Sequence, residues 1–83
     1  MLKIDKKICD KYKPNVGIKT YLKTPNKCAR VILFEDNTIM TIKTDLLANS
    51  EIENILVNYK QLSLIESHED KQHRMIKIYN CAN

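Results

Sequence analysis

The chain has 83 residues, of which 43% are hydrophobic and 29% charged, so it reads as one small globular domain spanning 1–83 rather than a disordered or fibrous segment. No apolar run approaches the roughly 20 residues of a membrane span, and the opening MLKIDKKICDKYK lacks the apolar stretch of a signal peptide. The formal net charge is +4, and the expected setting is the cytoplasm, where the three widely spaced cysteines Cys9, Cys28 and Cys81 fit reduced thiols better than a disulfide framework.

In chain order, Ile4, Ile8, Cys9 and Tyr12 fall at the spacing of a short amphipathic helix over residues 4–13, ended before Pro14. The alternation from Met1 to Ile4 also fits a leading strand, and residues 1–13 are open to both readings. Val16, Ile18, Thr20 and Leu22 then alternate with Gly17, Lys19, Tyr21 and Lys23, the period of two of a strand with one face inward. Thr24-Pro25-Asn26-Lys27 has the residues of a tight turn. Cys28–Phe34 is apolar on both faces apart from Arg30, as in a central strand, and Glu35–Thr38 supplies a second turn before a third strand, Ile39–Thr44. These three strands predict an antiparallel meander.

Ser50 followed by Glu53 reads as a capping box, and Ile52, Ile55, Leu56, Tyr59 and Leu62 form one apolar stripe of a main helix. Leu62–Ser67 and Arg74–Tyr79 around the polar stretch His68–His73 predict a final hairpin. The expected fold is therefore α+β: a small antiparallel sheet, built from a three-strand meander and a C-terminal hairpin, packed against one main helix, with a short N-terminal helix as one of the two readings of residues 1–13.

Catalytic and metal chemistry find little to stand on. There is no G-x-S-x-G, no glycine-rich phosphate loop and a single glycine, Gly17. His68-Glu69-Asp70-Lys71-Gln72-His73 is H-E-x-x-x-H; the metalloprotease motif needs its two imidazoles at i and i+4 on one helical face. The expectation is no enzyme, no cofactor and no metal, with His68 and His73 as solvated loop residues.

Charge distribution is the informative feature. Residues 1–30 hold nine bases against two acids, a segmental charge of +7, while residues 31–83 hold five against eight, or −3. Part of the lysine excess, twelve Lys to two Arg, reflects the AT-rich codons that also favour Ile and Asn, as in a low-GC bacterium or its phage. The shortage of acids beside those lysines has no such explanation. The expected binding surface is Lys6, Lys7, Lys11, Lys13, Lys19, Tyr21, Lys23, Lys27 and Arg30, with Lys19, Tyr21 and Lys23 projecting together from one strand face. A concentrated positive field steers acidic partners, and lysine binds phosphate as a point charge without reading bases. Two functions fit: a non-catalytic inhibitor or adaptor, of phage or mobile-element type, docking on a nucleic-acid-handling protein or complex, or a sequence-independent module binding the nucleic-acid phosphate backbone directly. Neither involves a membrane. The opposed charges of the two parts would also permit head-to-tail association, though oligomeric state is not written in the sequence.

Overall fold

The computed structural model describes residues 2–24, 29–44 and 49–81, with side chains from residue 7 onward. The first element is a helix, α1 (Leu2–Tyr12), which closes the choice left open at the N-terminus. Ile8 and Cys9 bury to 7% and 2% exposure and Tyr12 is half-buried beside them, so the apolar stripe faces a core. Pro14 follows one residue beyond its end, where its ring would clash with a continuing helix.

Three strands come next, β1 (Ile18–Lys23), β2 (Ala29–Phe34) and β3 (Thr38–Lys43), paired antiparallel as the expected meander. The expected turn residues Pro25, Asn26 and Lys27, and Cys28 at the expected start of β2, lie outside the described residues. In the β2–β3 turn, Asn37 takes a left-handed φ of 66°, a conformation Asn tolerates better than most residues. Asp36 Oδ1 accepts hydrogen bonds from the Thr38 backbone N–H at 3.0 Å and from its hydroxyl. Gly17 permits a close pass before β1. Its carbonyl accepts the Glu35 N–H at 3.0 Å, and a Cβ there would press on the Glu35 carboxyl group.

The second helix, α2 (Asn49–Leu56), starts one residue ahead of the expected Ser50 cap and stops before the apolar stripe ends. The Asn58 side chain donates to the Ile55 carbonyl at 3.2 Å, and Gln61 adopts φ 55°. A side chain that bonds its own backbone in this way competes with helix continuation. Tyr59 and Leu62 still pack against the core, but from the turn and the next strand.

Strands β4 (Leu62–Glu69) and β5 (Met75–Cys81) form the final hairpin. Both are longer than expected. His68 is therefore a strand residue, paired in register with Ile76, and the connecting turn shrinks to the residues between Glu69 and Met75.

The five strands make one antiparallel sheet in the order β1-β2-β3-β5-β4. Helices cover both of its faces: α2 is the expected main helix, and α1 is the short N-terminal helix that the spacing of residues 4–13 offered beside a leading strand. Ile32, Phe34, Met40, Ile42, Ile76 and Ile78 meet Ile8 and Cys9 on the α1 face. Val31, Ile39 and Cys81 pack with Ile55 and Leu56 on the other, where Ala29 meets Ile52. This double cover explains why β2 is apolar at nearly every position and why every residue of β3, including Thr41 and Lys43, is buried. Each fully buried large apolar side chain contributes about 1.5–3 kcal/mol relative to exposure. The outer strands are the opposite case: β4 is exposed along most of its length.

Candidate functional site

The fold disperses the expected basic surface and then regroups part of it. On β1 the pairing register slips between Ile18 and Thr20, which makes Lys19 the extra residue of a bulge. A bulge inverts the inside–outside phase of the strand residues beyond it. Tyr21 consequently packs with Ile18 against the α1-side core, while Leu22, expected inside, is 36% exposed. The expected strip of Lys19, Tyr21 and Lys23 on one free face is therefore not formed as an open stacking platform. Lys23 remains exposed and pairs in register with Arg30 on β2. Lys13 reaches Asp36 at 3.7 Å. The side chain of Lys6, and Lys27 altogether, lie outside the described residues.

Lys7 and Lys11 behave differently. They sit one helical turn apart on α1 and both line a groove of ≈ 310 Å³ between that helix and the β4–β5 turn. The far wall is Lys71, Gln72 and Arg74, and the floor is Ile8 and Ile76 beside Tyr12. Lys7, Lys11 and Lys71 are exposed, and none of the three has a carboxylate partner among the described residues. Arg74 does have one. Its Nε donates to Asp70 Oδ2 at 2.7 Å, with both side chains 13% exposed.

Asp70 is the organiser of that wall. Its Oδ1 also accepts the backbone N–H of Gln72 at 2.9 Å and of Arg74 at 2.8 Å. Desolvation pushes the Asp70 carboxyl up, but the Arg74 backbone and side-chain donors and the Gln72 N–H outweigh it and hold the group below its usual value of 3.8. An ionised carboxylate thus closes the turn and carries Lys71 at the groove rim. On the opposite wall, Lys11 Nζ lies 5.3 Å from the centre of the Tyr12 ring, within cation–π range. The acids Glu51 and Glu53 lie on α2, across the sheet from this groove.

His68 and His73 do not converge. His68 faces Tyr12 from β4, and His73 Nδ1 lies 3.2 Å from Glu69 Oε1 in an exposed pair. Among the described residues no three His, Cys, Asp or Glu side chains gather as a metal site, and no helix is long and apolar enough to cross a membrane. Cys9 and Cys81 are buried thiols on opposite faces of the sheet.

Sequence reasoning found Lys7 and Lys11 but missed Lys71 and Gln72. Their partnership depends on α1 crossing near the β4–β5 turn, a contact between the two ends of the chain. The only local trace was Asp70 followed four residues later by Arg74. No protein-family model matches the chain, and no characterised protein or solved structure is detectably similar to it.

Proposed function

We propose that the protein is a non-catalytic docking module that engages an acidic surface on a larger protein through the groove between α1 and the β4–β5 turn. The observation that carries this reading is the composition of the groove: Lys7, Lys11 and Lys71 around an apolar floor of Ile8 and Ile76. A charged rim around an apolar centre is the anatomy of a protein interface. The lysines supply steering and register, and the floor supplies area removed from water. Direct binding of unpaired nucleic acid draws on exposed aromatic rings. Here Tyr21 packs against the core and Tyr12 is held by its contacts with His68 and Lys11. An inhibitor or adaptor acting on a nucleic-acid-handling protein remains the role such a module fits best.

The test is affinity capture from the source cells after nuclease digestion, with the wild-type protein and a Lys7→Glu/Lys11→Glu/Lys71→Glu variant as parallel baits. The expected result is one stoichiometric protein retained by the wild type and lost by the variant. Loss of every partner on nuclease digestion, or equal retention by both baits, would reject the reading.

A further inference from the structure

The sheet ends in two open edges of opposite character. Among the described residues, strand β1 pairs only with β2, and β4 only with β5. On β1 the charged residues are Lys19 and Lys23, both exposed and both positive. On β4 they are Glu66 and Glu69, both exposed and both negative. The apolar content of the surface gathers at the same places. Of the large hydrophobic residues that stay exposed, Leu22 at 36% lies on β1, Leu64 and Ile65 at 54% each lie on β4, and only Val57 lies elsewhere among the described residues.

An unpaired edge strand presents a row of N–H and C=O groups that another strand can complete. Charges and bulges on edges are the usual defence, and both are present: one bulge comes after Ile18 and the other after Leu64. The defence here is selective. Like charges set β1 against β1 and β4 against β4, while the same charges attract β1 to β4. Regular pairing survives beyond each bulge, over Thr20–Lys23 and over Glu66–Glu69, which are the stretches that carry Lys23 and both glutamates.

We propose that β1 of one molecule adds to β4 of a second copy, extending the antiparallel sheet across the boundary between them. The contact is heterologous: each molecule uses one edge to give and the other to receive. Such contacts close into rings or run on as open assemblies, according to the rotation between neighbours. Leu22, Leu64 and Ile65 come under cover in the joint, and the lysines and glutamates set which edge meets which. The groove beside α1 takes no part, so self-assembly and partner docking are separate properties.

Light scattering coupled to size-exclusion chromatography tests the proposal on the intact protein. At about 0.01 M salt, where the Debye length is roughly 30 Å, the average mass should rise with concentration, and it should fall towards one chain near 1 M, where that length is about 3 Å. A Lys19→Glu/Lys23→Glu variant and a Glu66→Lys/Glu69→Lys variant should each remain at the mass of one chain. Mixed in equal amounts they restore complementary edges, and the average mass should rise by roughly twofold or more as heterologous contacts re-form. Circular dichroism confirms that each variant is folded; the single swaps Lys23→Glu and Glu66→Lys serve in place of any double variant that is not. A wild type that stays at one chain mass at low salt, or a mixture that recovers no association, would overturn the proposal.

Discussion

The ring of Tyr12 lies against the imidazole of His68, with centroids 4.6 Å apart and planes tilted by 47°. This contact joins the last residue of α1 to the outermost strand of the sheet and so holds the two walls of the basic groove in relation to each other. Replacing Tyr12 by Leu keeps an apolar body at the position but removes the ring pair and the cation–π contact with Lys11. The expected loss is about 0.5–1.5 kcal/mol in urea unfolding, with amide exchange rising in α1 more than in β2 or β3. Unchanged exchange in α1 would show that Tyr12 does not anchor the helix.

Asp70 carries a pH dependence whose sign is set by its hydrogen bonds. Its carboxyl is held below the usual 3.8 in the folded protein, so the folded state binds that proton less readily than the unfolded chain. The resulting stability is present in full above the usual value and is lost as pH falls through the folded-state value. Asp36, also held low, titrates in the same direction, but it is common to the wild type and an Asp70→Asn variant and cancels in their difference. The stability gap between these two proteins should be widest near neutral pH and close below the usual carboxylate value. A gap that widens in acid would contradict the assignment.

Stability should be concentrated in the centre of the sheet. Ile42 is fully buried between β2 and β5, whereas Leu64 on the outer strand is 54% exposed. Ile42→Ala should cost about 2–5 kcal/mol, a large part of the stability of a domain this small, while Leu64→Ala should stay within about 0.5 kcal/mol. Denaturant midpoints for the two variants, measured in dilute protein, make the comparison. Equal effects would mean that β4 is buried in solution.

The basic residues should separate by role. Lys7→Gln/Lys71→Gln should leave the unfolding midpoint unchanged and slow association with the acidic partner on the order of tenfold at low salt, because rim charges act chiefly on the on-rate. Lys13→Gln should instead cost up to about 1 kcal/mol of stability, the usual range for an ion pair near the surface such as half-buried Lys13 with Asp36, and leave association nearly untouched. Surface-based kinetics at two salt concentrations distinguish the two classes.

Much of this arrangement was legible in the order of residues, and the rest was not for identifiable reasons. The apolar run through Val31, Ile32 and Leu33 announced a central strand, and Ile52, Ile55 and Leu56 announced a helix, because local periodicity reports the faces a segment must bury. Tyr21 was misplaced because a bulge is a property of two paired strands, and nothing within β1 records how it aligns with β2. How completely β3 is buried was not legible, since Thr41 and Lys43 look like surface residues until α2 is laid over them. Lys71 escaped for a similar reason: an exposed turn lysine gains meaning only from the helix that begins the chain.

The role of the basic groove is tested most directly by tracking backbone amide chemical shifts while the isotope-labelled protein is titrated with two probes at one low salt concentration. One probe is a glutamate-rich peptide carrying apolar residues, the other a single-stranded oligonucleotide of similar net charge. The peptide should bind more tightly, and its shifts should centre on Lys7, Ile8, Lys11, Lys71 and Gln72. Tighter binding of the oligonucleotide, with shifts centred on Lys19, Lys23 and Arg30 while the groove stays silent, would contradict a groove built for an acidic protein surface.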